Sequence, residues 1–172
     1  RVYVMGERGA DREPASEADR REMARLSVEG IRAGALGFST SRTIAHKTLA
    51  GKPTPTLHAA EIELATIGAA IGATEKGWMQ VISDFDEPEE EFATLRRINE
   101  ASGLPMTISL LQRESRPQLW REILDNIEDA NAHGQKIIGQ VMARPIGVMM
   151  GFEISQNPFL QRPSYLEVAG LP

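Results

Sequence analysis

The sequence predicts an α/β fold built from repeated βα units. Three observations predict it. Apolar runs of strand length begin near residues 2, 35, 78, 105 and 136. Segments with apolar residues at helical spacing alternate with them. The runs recur roughly every 33 residues, about the length of one strand–helix repeat. Such alternation implies a parallel sheet with right-handed crossovers. About five units fit in 172 residues, whereas a closed barrel needs eight. The pattern alone leaves two architectures open, a doubly wound sheet and part of a barrel.

Taken in order, "RVYVMGE" (1–7) reads as a short buried strand. "SEADRREMARLSVEGIRAG" (16–34) reads as a helix with Ser16 as N-cap, Glu17 and Asp19 in the first turn, and Gly34 as its stop. "ALGFST" (35–40) is the second strand, followed by a long polar loop. "HAAEIELATIGAAIGATEKG" (58–77) is the next helix. Strand "WMQVISD" (78–84) leads to helix "EPEEEFATLRRINEASG" (87–103), where Pro88 and three glutamates suit the first turn. Strand "PMTISLLQ" (105–112) leads to helix "RPQLWREILDNIEDANAHG" (116–134). "KIIGQVMARPIGVMMG" (136–151) starts as a strand. Residues 1–151 are thus expected to form the βα region, and 152–172, with Pro158 and Pro163, an irregular continuation of it.

Composition excludes several classes. A net charge of −5 and a pI near 5.3 give no footprint for nucleic acid or an anionic membrane. No apolar run reaches the roughly 20 residues of a membrane helix, and no signal peptide is visible. The chain has no cysteine, so neither disulfides nor thiolate chemistry is available. A cytoplasmic, bacterial protein fits. The chain opens on Arg1 and enters and leaves in mid-pattern, as a piece of a longer polypeptide would. Neither GxGxxG nor GxxxxGK[ST] occurs, which argues against a nucleotide-binding sheet.

In both parallel architectures the site lies beyond the carboxyl ends of the strands. Those ends carry Glu7 and Arg8; Ser39, Thr40, Ser41 and Arg42; Ser83, Asp84 and Asp86; Gln112 and Arg113; and Gln140 and Arg144. Arginine captures carboxylates in a bidentate grip, so this rim suits an anionic small molecule. Among the histidines, His133 belongs to a helix end, His58 to the surface near a helix start, and His46 to the long loop, within reach of the rim as an acid or base. No histidine spacing typical of metal ligands occurs. The run from Asp84 to Glu91 lacks the alternation of a calcium loop and suits a helix N-terminus.

Four segments in order, "GALGFSTSRT" (34–43), "GKPTPTLHAAEIELATI" (51–67), "SGLPMTISLLQ" (102–112) and "QVMARPIGVMMG" (140–151), resemble the N-acyl-D-amino-acid deacylase branch of the amidohydrolase superfamily. The resemblance covers nearly the whole chain. It implies that the chain is part of a (β/α)8 TIM-type barrel. It also implies hydrolysis of the amide bond of an N-acyl amino acid, with zinc as the family cofactor. A small acylated amino acid is then the expected partner, together with self-association or the remainder of the parent chain. By resemblance the stretch 39–56 walls the site. Ser39, Thr40, Arg42, Gln112 and Arg144 are the expected substrate contacts, and Asp84 and His46 the expected catalytic residues.

The chain departs from the family where the metal binds. The family's metal-binding histidine at the end of the strand matching "MQVISD" is replaced by Ser83, beside Asp84. The histidine of the next strand is replaced by Leu110, and the lysine that often follows by Gln112. Leucine cannot bind zinc, so this chain alone is not expected to hold the metal. The competing expectation is a non-catalytic ligand-binding or scaffold protein on a decayed barrel.

Overall fold

The computed structural model describes residues 1–48, 50–57, 59–113, 115–145, 147, 149–152, 157–160 and 162–171. Its elements are α1 (Val2–Met5), α2 (Glu7–Ala10), α3 (Glu17–Arg32), β1 (Phe38–Arg42), α4 (Glu61–Gly72), β2 (Met79–Ser83), α5 (Pro88–Ser102), β3 (Met106–Ser109), α6 (Leu119–Ala132), β4 (Ile137–Gln140) and α7 (Pro163–Leu166). The four strands form one parallel sheet in the order β1-β2-β3-β4.

One expected strand is absent. The segment 1–7 forms two short helical turns, α1 and α2, separated by Gly6 at φ 60°. The Met5 N–H donates to the Arg1 carbonyl at 3.0 Å, and Met5 buries its side chain in the core. An apolar run this short reads equally as strand or buried helix, because periodicity cannot separate the two. The described residues therefore hold four βα strands, not five. The second strand also starts three residues later than expected. Gly37 crosses Trp78 so closely that a Cβ would lie 2.2 Å from the Trp78 carbonyl oxygen, and pairing begins only at Phe38.

The other elements follow their sequence signals. Ser16 caps α3 in a reciprocal box with Asp19: the Asp19 N–H donates to Ser16 Oγ at 3.2 Å, and the Ser16 N–H donates to Asp19 Oδ2 at 2.9 Å. Arg8 forks onto both Asp19 oxygens at 2.9 Å. α5 begins with Pro88 and ends at Gly103 in the left-handed conformation, φ 62°. His133 follows α6, its Nδ1 2.8 Å from the Asp129 carbonyl, a structural position. His58 lies outside the described residues. Beyond β4, Phe152, Phe159 and Tyr165 form a small aromatic cluster.

Strand alternation and register assign the two faces of the sheet. Phe38, Thr40, Met79, Val81, Met106, Ile108 and Ile137 share one face. Most of them join Ile31, Leu64, Ile67, Ile71, Phe92, Leu95, Ile98, Ile123 and Ile127 from helices α3 to α6 in a single core. The other face carries Ser39, Ser41, Gln80, Ile82, Thr107, Ser109, Ile138 and Gln140, and its central members are only half-buried. The strand order never reverses, whereas a doubly wound sheet reverses at its switch point. The arrangement is compatible with a segment of a TIM-type barrel, though four strands do not by themselves close one.

Candidate functional site

The long loop after β1 is a folded hairpin-like excursion. Lys47 bridges Pro53 in antiparallel fashion. The Thr48 N–H donates to the Lys52 carbonyl at 2.7 Å, and the Gly51 N–H to the Thr48 carbonyl at 2.9 Å with φ 74° at Gly51. The His46 N–H reaches the Thr43 carbonyl at 3.4 Å, while the His46 carbonyl accepts from the Thr54 N–H at 3.2 Å. The base of the loop therefore holds His46 against the carboxyl end of β1, where its Nδ1 lies 2.6 Å from Ser41 Oγ.

This pair lines an open groove of about 400 Å³ on the uncovered sheet face, with Ser39, Thr40, Thr56, Gln80, Ile82 and Ser109. Ser39 donates its hydroxyl to Gln80 Oε1. Among the described residues no carboxylate lines the groove.

Asp84 organises a neighbouring cluster. Its Oδ1 accepts from Thr43 Oγ1 at 2.6 Å and from Arg113 at 2.7 Å, and its Oδ2 accepts from the Ile44 N–H at 2.7 Å. Burial opposes ionisation, but the Thr43, Ile44 and Arg113 donors outweigh it and hold the carboxyl below its ordinary pKa. Phe85 follows with φ 52°, a left-handed conformation that disfavours bulky residues. Three groups stabilise that turn: Glu91 accepts the Phe85 N–H at 3.1 Å, Arg116 donates to the Phe85 carbonyl at 3.0 Å, and Ser83 donates to Glu91. Within the 84–91 run, Asp84 serves donors distant in the chain and Glu91 serves the local Ser83, Phe85 and Glu87 donors.

The expected site residues are partly brought together. Ser39, Thr40 and His46 share the groove, although Thr40 is buried and its hydroxyl has no hydrogen-bond partner. Asp84 stands outside it, in the adjoining cleft with Thr43, Ser83 and Arg113. Arg42 donates to the Ala59 carbonyl at 2.7 Å, tying the end of β1 to the approach to α4. Gln112 and Arg144 are exposed and do not line the groove. Gln80 and Ser109 were not expected. Their signal was alternation: strand positions two apart share a face, and the register sets Gln80 opposite Ser39, with Ser41 and Ser109 on the same face.

The positions matched to the family's metal ligands are otherwise engaged. Ser83 is committed to Glu91, Leu110 packs against the core, and the Asp84 oxygens already accept three donors. Among the described residues no three His, Asp or Glu side chains gather as a metal site. The chain matches no protein-family model, no curated protein and no solved structure. No helix among the described residues is long and apolar enough to cross a membrane.

Proposed function

We propose that this chain supplies four βα units of a TIM-type barrel hydrolase, of divergent amidohydrolase type, that cleaves the amide bond of an N-acyl amino acid, with N-acyl-D-amino acids as the preferred class. The observation that carries the proposal is a polar groove on the open face of a parallel sheet that winds in one direction, reaching Ser41 and Ser109 near the carboxyl ends of β1 and β3, the side on which such folds hold substrates. The motif order of the sequence supports the substrate class. Arg144, exposed and following β4 in the chain, is the proposed grip for a substrate carboxylate, which arginine holds in a planar fork, with Gln112 as a further proposed contact. The remaining units of the barrel come from the rest of the parent polypeptide or from a second copy, and the cytoplasm is the proposed compartment.

A second function is favoured by one observation. Asp84, the acid expected in the chemistry, is fully engaged by Thr43, Ile44 and Arg113. A decayed barrel that binds ligands without turnover would look like this. The deciding experiment incubates the chain with a panel of N-acyl-D- and N-acyl-L-amino acids, with and without a chelator, and measures the free amino acid. Release from an N-acyl-D-amino acid supports the hydrolase. Calorimetric binding with no release from any member supports the scaffold.

A further inference from the structure

We propose that Ser41 is a nucleophile and His46 its general base, so that the groove performs acyl transfer through a serine ester. The inference deepens the proposed amide hydrolysis and rests on that reading for its substrate, but its geometry stands independently. The defining contact of nucleophilic serine catalysis is a hydroxyl hydrogen-bonded to an imidazole nitrogen. Ser41 Oγ and His46 Nδ1 are 2.6 Å apart. With the ring proton on Nε2, Nδ1 accepts the Ser41 hydroxyl proton.

The surroundings support this role. His46 is exposed and Ser41 half-buried, so a substrate can reach both from the groove. The backbone bonds of His46 to Thr43 and Thr54 restrain the residue. The loop from Thr43 to Ala60 thereby gains a purpose, since its base sets a histidine on a strand tip. Two further polar side chains share this sheet face, Gln80 on the neighbouring strand β2 and Ser109 on β3 beyond it. Ser39 occupies Gln80 Oε1, which leaves the Gln80 amide nitrogen and the Ser109 hydroxyl as groove-lining donors for the polar part of a substrate. The described lining of the groove is uncharged apart from His46.

The chemistry balances. As Ser41 Oγ bonds to the acyl carbon, its proton passes to His46. The imidazolium gives that proton to the amide nitrogen as the C–N bond breaks and the amine leaves. Water then attacks the ester, His46 takes the water proton, and the C–Oγ bond breaks with return of the proton to Ser41. The products are a carboxylic acid and a free amine.

The test uses a fluorophosphonate probe, which labels nucleophilic serines without needing the natural substrate. Peptide mass spectrometry should find the adduct on Ser41, and a chelator should not change it. Ser41→Ala should abolish labelling, and His46→Gln should slow it by about 100-fold or more, the usual scale of general-base assistance. Both side chains lie at the groove surface, so both variants should melt as the parent does. No adduct, an adduct on another residue, or an unchanged rate in His46→Gln would overturn the proposal. Labelling of Ser41 without hydrolysis of any N-acyl amino acid would reject the substrate class and keep the pair. Hydrolysis that survives Ser41→Ala would keep the substrate class and reject the pair.

Discussion

Replacing Asp84 separates the two roles open to a carboxylate at a strand end. In the folded chain it accepts from Thr43 and from the Ile44 N–H at 2.6 and 2.7 Å, and from Arg113 at 2.7 Å. Hydrogen bonds to an ionised group contribute about 1.5–3 kcal/mol each, which bounds the three at about 4.5–9 kcal/mol. Water lowers that bound. The Arg113 side chain is 31% exposed, so its share is nearer the roughly 0–1 kcal/mol of a surface pair. Asparagine keeps one oxygen for Thr43 but turns an NH2 toward the Ile44 N–H. Asp84→Asn should therefore cost about 2–3 kcal/mol, and Asp84→Ala, which strands both donors, about 3–5 kcal/mol. Urea unfolding followed by circular dichroism reads this as a lower midpoint at unchanged slope. The folded fraction of Asp84→Asn should keep its kcat within a few-fold of the parent. A stability change below about 0.5 kcal/mol, the scale of an ordinary surface substitution, would refute the anchoring role. A loss of kcat of about a thousandfold in a folded variant would return Asp84 to the chemistry.

Acid should weaken the fold through the carboxyls whose pKa is lowered. Ser16, then Arg8, hold Asp19 at about 2, and Asp84 is lowered as well. Groups of this sign stabilise the folded state above their unfolded pKa and lose that contribution as pH falls through the folded value. Urea midpoints should fall below about pH 4, and Asp19→Asn should flatten part of that fall; superimposable acid curves would contradict the cap's role. Gly72→Ala would place a Cβ 1.8 Å from the Ser102 carbonyl oxygen, so it should cost about 3 kcal/mol, at the upper end of over-packing. Gly30→Ala in α3, where a Cβ meets nothing within 4 Å, should stabilise by about 0.5–1 kcal/mol, and equal melting temperatures for these two variants would refute the packing of α4 on the end of α5. The unpaired edges of β1 and β4 and the uncovered sheet face should drive self-association in the isolated chain; a monomer in sedimentation across the micromolar range would rule that out.

Local physics made much of this fold legible. Ser16 before α3, Pro88 opening α5, and Gly103 and Gly134 after α5 and α6 mark helix ends through the backbone conformations and donors they supply. Alternating burial along Met79–Ser83 is a period-two signal that a strand carries in its own residues. Together they determined the four strands of the parallel sheet and the three helices that connect them. Tertiary structure decided three things. It turned residues 2–10 into helical turns, because so short an apolar run takes the form its packing favours. It assigned sheet faces, so that Ser39, Ser41, Gln80 and Ser109 share the open side while Thr40 is buried. And it took Asp84 out of the groove through Thr43 and Arg113, partners 41 and 29 residues away in the chain. Contacts of that range depend on where crossovers return each strand, and no window of sequence carries that information. The candidate residues were therefore visible as types and positions, but the pairing of Ser41 with His46 belongs to the folded loop alone.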